Sequence, residues 1–273
     1  MLHNELHRAF FNRMFVLSLL VAMAIAVAHV LLVGMPYGVS EIWGAWRSGS
    51  KGVYPPSLYN TWIGQTGYSV LTVAFYYAIP LLCCIPFTDS LAADMTTKYI
   101  SQAITRSSRA RFFGSKLCAA ALSSGCIALV PLVANVVLTA CFVPALVPEP
   151  AAGTFFVAPS TMLPDLFYSA PAAYIAFFIA LTFLSCCTFG IMAIACSFFI
   201  RNRFVVVLIP FALCMAAQFA TQSTLLAGFS PVNALLPYQP YPSLAWAVCL
   251  LLLLTLVASS LIIAIKGKGY EDV

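Results

Sequence analysis

Long apolar stretches free of Asp, Glu, Lys and Arg recur along the chain, separated by polar connections. An α-helix needs about 20 mainly apolar residues to cross a hydrocarbon layer about 30 Å thick. Six stretches meet that requirement, at residues 14–35, 66–87, 117–142, 174–200, 204–222 and 244–265. A membrane β-barrel would alternate polar and apolar positions, whereas Leu250 to Leu254 and Val205 to Ile209 are unbroken apolar runs. The pattern predicts an all-α integral membrane protein with six transmembrane helices in a single domain, residues 1–273. Ahead of the first stretch, Leu2, Leu6, Ala9 and Phe10 recur at helical spacing while Glu5, Arg8 and Asn12 fall elsewhere. Residues 1–13 therefore predict an amphipathic helix lying on the inner leaflet.

Composition narrows the class. The chain is 62% hydrophobic and 8% charged, with a mean hydropathy of +0.98, against about 25% charged in an ordinary soluble domain. Such a chain cannot cover its own surface with polar groups, which excludes a soluble globular protein. A net charge of +5 is too sparse and dispersed for a nucleic-acid surface. The charges report orientation instead. Arg8, Arg13, Lys98, Arg106, Arg109, Arg111, Lys116, Arg201, Arg203, Lys266 and Lys268 fall on one side of the six stretches, and only Arg47 and Lys51 on the other. By the positive-inside rule both termini are expected in the cytoplasm, with the loops 36–65, 143–173 and 223–243 facing outward.

The ten cysteines lie in or beside apolar stretches, including the pairs Cys83-Cys84 and Cys186-Cys187. None lies in an outward loop, so no disulfide framework is expected, and no metal site either, because no His or carboxylate accompanies the pairs at ligand spacing. No phosphate loop, dinucleotide fingerprint, H-E-x-x-H or G-x-S-x-G occurs. No catalytic residue is therefore expected, and no enzyme activity in this chain. Apart from His29 no carboxylate or basic side chain lies at membrane depth, and His29 reads as a hydrogen-bonded packing residue or one near the outer interface. Ion-coupled carriers place ionisable groups on their pathway, so an energy source outside the polypeptide is the better expectation.

The longest inner connection, 88–116, reads TDSLAADMTTKYISQAITRSSRARFFGSK. Met95, Tyr99, Gln102 and Arg106 follow a helical spacing, and 91–104 holds no Gly or Pro, which predicts a short cytoplasmic helix there. A cluster of basic residues follows, ending in Lys116. Arg111 and Lys116 also suit contact with anionic headgroups.

In these features the chain resembles the membrane subunits of ATP-binding-cassette transporters, of the type 2 permease family. Members of that family share an amphipathic N-terminal helix and six spans with both ends inside. They carry an acidic residue after the second span, then a helix, an S-R pair and a Lys at the start of the third span. Those positions read Asp94, Ser108-Arg109 and Lys116 here. Where the family commonly has Gly after the acidic residue and Pro before the S-R pair, this chain has Thr97 and Arg106. The last outward loop, with Pro231, Pro237, Pro240 and Pro242 beside Tyr238 and Tyr241, is similar to the family's re-entrant or interfacial segment between its last two spans.

The resemblance implies a permease subunit of an ATP-driven transporter. It would export an amphipathic or hydrophobic compound, such as a peptide, a drug or a lipid-like molecule, across a bacterial cytoplasmic membrane. It further implies a separate ATPase subunit, which would hold ATP and Mg, and a second permease copy or a related permease as partner. The chain itself would bind no cofactor. The helix in 88–116 would couple the ATPase to the membrane domain through Asp94, Tyr99, Gln102, Arg106 and Arg109, using an aromatic anchor and charge-assisted hydrogen bonds. Uncharged polar residues at helical spacing, Ser69, Thr72 and Tyr76 in the second stretch and Gln218 and Gln222 in the fifth, are candidates for a translocation pathway. The other classes open to the sequence are an autonomous carrier or channel, and a membrane scaffold without transport activity.

Overall fold

The computed structural model describes residues 1–48, 56–67, 69–97, 99–100, 108–148, 157, 161–200, 202–222, 226–238 and 241–268. Among them helices and turns occur and no strand. The helices are α1 (Leu2–Phe10), α2 (Arg13–His29), α3 (Met35–Ser48), α4 (Leu58–Thr61), α5 (Val70–Leu82), α6 (Ser90–Thr96), α7 (Arg109–Ala140), α8 (Pro164–Ser169), α9 (Pro171–Cys196), α10 (Arg203–Gln222) and α11 (Ala245–Lys268). Five of these segments are long and apolar enough to cross a membrane: Arg13–Ser40, α7, α9, α10 and the stretch Ala245–Gly267 of α11. The chain is an all-α protein with the helices of a multi-pass membrane protein.

The second predicted stretch differs. It is not one 22-residue helix but the 13-residue α5, flanked by turns on both sides. Prolines explain the inner end. Pro80 removes one helical hydrogen bond, and Pro86 disfavours helical backbone at Ile85, so the chain leaves the helix at Cys83 and turns through to Asp89. At the other end, Gly64 and Gly67 allow a tight course in which a Cβ would collide with Trp62 and Pro237, or with the Tyr238 ring.

Between α2 and α3 the helix continues through one wide π turn, Val30–Gly34. Pro36 lies just beyond it. Its missing N–H and its ring both disturb the carbonyl four residues back, at Leu32, and the widened turn takes up that misfit. His29 is the last residue before the turn, and its side chain is fully buried.

Side-chain contacts fix the relative direction of the helices. At the start of α2, Asn12 donates to the Pro86 carbonyl at 2.8 Å, whereas at its end His29 Nε2 meets Thr66 Oγ1 at 2.6 Å. The segment 66–86 therefore runs antiparallel to α2 along its length. Helix α7 sets Lys116, near its start, beside Glu5 and further on reaches Ala26, whose carbonyl accepts from Asn135 at 2.9 Å, so it runs parallel to α2. Helix α9 returns against α7, with Gly125 packed on Phe183 and Cys187, Gly190 on Ser124, and the Phe198 ring 5.7 Å from that of Phe113. The glycines matter here because any Cβ would force the two backbones apart. Helix α10 begins at Arg203, whose guanidinium reaches Thr96, and α11 ends with Gly267 against Phe113.

Candidate functional site

At the end of the bundle marked by Lys116, four charged side chains meet. Lys116 is fully buried, its Nζ 3.1 Å from Glu5 Oε2 and 2.5 Å from Asp94 Oδ2. Arg8 bridges the same two acids from the rim, with Nη1 3.2 Å from Glu5 Oε1 and Nη2 3.2 Å from Asp94 Oδ1. Two cations and two anions thus cancel, which is what makes a buried lysine tolerable. The rings of Phe87 and Phe112, with centroids 5.0 and 5.8 Å from Nζ, complete the enclosure. Burial works against the Arg8 guanidinium, but the hydrogen bond and field of Asp94, with the fields of Glu5 and Tyr99, outweigh it and raise the Arg8 pKa. The cluster ties together α1, α6 and the first turns of α7.

This arrangement alters three sequence expectations. The polar face of α1 is only partly turned to water: Glu5 is buried against the protein while Arg8 is exposed, and of the apolar positions Ala9 is buried and Leu2 exposed. Lys116 is buried among carboxylates and does not contact headgroups, while Arg109 and Arg111 are exposed. The predicted helix over 91–104 is interrupted after Thr96, where the hydroxyls of Thr96 and Thr97 both donate to the Ala93 carbonyl, at 2.8 and 3.0 Å; Tyr99 and Ile100 are helical again, and residues 98 and 101–104 lie outside the described residues. Hydroxyls that take a helical carbonyl in this way compete with helix continuation.

Of the expected coupling residues, Asp94 is buried in the ion cluster, and Tyr99 is 40% exposed with Arg8 5.6 Å above its ring. Gln102 and Arg106 lie outside the described residues. Arg8, Ala93, Asp94, Thr97, Tyr99 and Arg203 line a cleft of about 530 Å³ beside the cluster. Asp89 lies near it, and burial pushes its carboxyl pKa up despite the opposing fields of Arg203 and Lys116.

The expected pathway residues have different surroundings. Thr72 is buried, with its hydroxyl 2.9 Å from that of Thr66, and Tyr76 lies in the apolar core. Ser69 is the N-terminal flanking residue of α5 and Gln222 is exposed. Gln218 is buried and holds the last outward loop, donating to Asn233 Oδ1 at 3.0 Å and accepting from the Val232 N–H at 3.2 Å. A mainly apolar cavity of about 110 Å³ lies between α9, α11 and that loop, lined by Thr188, Leu235 and Leu251 among others, and none of the expected residues lines it.

The opposite end of the bundle holds what the sequence pattern did not show. Residues 57–66, predicted as outward loop up to Gln65, are buried apart from a half-buried Tyr59. Non-helical backbone at such a place must find partners. The Ser57 hydroxyl donates to the Leu146 carbonyl at 2.7 Å, Leu58 N–H to the Pro144 carbonyl at 3.0 Å, and Ile63 N–H to Asn135 Oδ1 at 2.9 Å. Asn135 Nδ2 donates to Ala26 and lies 3.3 Å from His29 Nδ1. Because Asn135 must accept from Ile63 and donate to Ala26, its amide has one orientation, which leaves His29 Nδ1 the acceptor and Nε2–H the donor to Thr66. His29 is thus a hydrogen-bonded packing residue at the centre of a satisfied network. The segment also meets the last loop, through Tyr238 N–H on the Gly64 carbonyl at 3.3 Å.

Compared with protein-family models, curated proteins and solved structures, the chain has no match.

Proposed function

We propose that this chain is the membrane-spanning permease subunit of an ATP-driven transporter of the ATP-binding-cassette type, working with a separate ATPase and a second permease. Its cargo is an amphipathic or hydrophobic compound, exported from the cytoplasm. The observation that carries this reading is the ion cluster at the Lys116 end. A short helix outside the apolar bundle can transmit a partner's movement only if it is stiffly joined to the crossing helices, and Asp94 joins α6 to α7 through Lys116 and to α1 through Arg8. The same end carries the exposed Tyr99, Arg109 and Arg111, a surface suited to an acidic partner.

The antiparallel course of 66–86 beside α2 supports a sixth crossing made of α5 and its flanking turns. Six crossings put both termini on the Lys-rich and Arg-rich side, which the positive-inside rule assigns to the cytoplasm. ATP binding and release in the partner would then shift the membrane domain between two arrangements through contacts that differ between them.

The test is purification of the full chain from its native cells in mild detergent, with mass spectrometry of what comes with it. A stoichiometric ATP-binding-cassette ATPase, lost or weakened in Tyr99→Ala, is the expected result. Repeated purification without such a subunit overturns the reading.

A further inference from the structure

The cleft beside the ion cluster has more than the cluster needs. Arg203 opens α10 on its rim, and its guanidinium reaches only a distant hydroxyl, that of Thr96 at 3.5 Å; among the described residues it has no carboxylate within 4.0 Å. Across the cleft stands Arg8, 44% exposed at its side chain although it is anchored on two acids. The one carboxylate in the lining, Asp94, already faces Lys116 and Arg8. Thr97 and the Tyr99 phenol add hydroxyls to the lining.

The surroundings decide what kind of anion fits. Phe204, next to Arg203, is 82% exposed, and Phe11, one helical turn beyond Arg8, is 78% exposed. Arg203 begins one apolar helix of spanning length, and Arg8 lies just ahead of another. Two guanidiniums on a hydroxyl-lined cleft, each followed within a helical turn by an exposed phenylalanine, match a molecule that is anionic at one end and apolar at the other.

We propose that the cleft between α1, α6 and the start of α10 binds the phosphodiester headgroup of an anionic membrane lipid, with Arg203 and Arg8 on the phosphate and Phe11 and Phe204 against the acyl chains. The site does not depend on the transporter reading. Its occupant would bridge α10 to the ion cluster, so lipid composition would set how firmly α6 is held.

The test uses the full chain in nanodiscs of phosphatidylcholine mixed with phosphatidylglycerol, transferred to detergent and examined by native mass spectrometry. Wild type is expected to retain phosphatidylglycerol in preference to phosphatidylcholine. Arg203→Gln, which leaves the ion cluster intact, should retain about tenfold less, the equivalent of about one charge-assisted pair, and Arg203→Lys should recover part of it. Equal retention of the two lipids, or unchanged retention in Arg203→Gln, overturns the site. Displacement by glycerol phosphate as effective as displacement by short-chain phosphatidylglycerol reassigns the cleft to a free phosphate and overturns the lipid. If Arg203→Gln instead abolishes ATPase copurification with lipid retention unchanged, the cleft is a partner surface and the proposal fails while the transporter reading stands.

Discussion

Glu5 Oε2 and Lys116 Nζ lie 3.1 Å apart, with neither side chain more than 3% exposed. A carboxylate at the very start of the chain thereby neutralises a lysine buried at the start of a spanning helix. With Asp94 as the second acceptor, the pair makes α1 a structural part of the bundle and not a peripheral float.

Removing the cation alone should be costly. In Lys116→Met two buried carboxylates lose their buried partner and share only Arg8 at the rim, and the expected loss is about 3–5 kcal/mol, the usual cost of breaking one side of a buried ion pair. The triple replacement Glu5→Gln, Asp94→Asn, Lys116→Met should regain much of that loss, because the one charge left in the cluster, Arg8, is 44% exposed and can be solvated. Thermal unfolding of the detergent-purified chain measures both. A triple variant less stable than the single would contradict the assignment of the cost to unpaired charge.

Asn135 is expected to hold the buried segment 57–67 in place. Asn135→Leu leaves Ile63 N–H and His29 Nδ1 without their partner, at about 1–3 kcal/mol for each buried group. Hydrogen exchange in 57–67 should accelerate in the variant while the interior of α9 stays protected. Uniform exchange across the chain would mean general unfolding instead.

Asp89 gives a pH signature. Burial holds its carboxyl above the ordinary value of 3.8 in the folded chain, so the folded state binds more protons than the unfolded one between those two values. The stabilisation is full below the unfolded pKa and is lost as pH rises through the folded pKa. Relative to wild type, Asp89→Asn should therefore be most favourable at neutral pH and lose its advantage in acid. Unfolding midpoints compared across mildly acidic to neutral pH decide it, and a constant difference would contradict the assignment.

A Cβ at Gly228 would overlap the backbone carbonyl of Pro242, which cannot swing aside as a side chain can. Gly228→Ala should displace the last loop at a cost of about 1–3 kcal/mol. The displacement should appear as faster exchange at 227–236, the part of the loop that Gln218 holds. Unchanged exchange there would place the strain elsewhere.

Much of the architecture was legible because lipid imposes a simple rule on helix length and apolarity, and four of the six predicted stretches coincide with spanning helices to within several residues. A fifth, the first, runs on through a π turn into α3. What escaped the rule is where polar groups satisfy one another inside the chain. Nothing in the spacing of Glu5, Arg8, Asp94 and Lys116 reveals that they converge, since the convergence depends on how α1 folds back on α7. The buried course of 57–66 was hidden for a related reason. Its Ser, Asn and Thr residues read as loop, yet they make contacts of the kind that a loop inside a bundle requires. Tyr76 and Gln218 are candidates for a pathway on their polar spacing alone, and that spacing does not reveal that one sits in the core and the other grips a loop.

As the proposed permease subunit, this chain moves cargo only when an ATPase drives it. The direct measurement is flux of a membrane-active peptide in proteoliposomes containing the chain alone, or the chain with its copurified ATPase, with ATP or a non-hydrolysable analogue inside or outside. Flux that requires both the ATPase and hydrolysable ATP is the expected result. Flux from the chain alone, without ATP, would contradict the account and make the protein an autonomous carrier or channel.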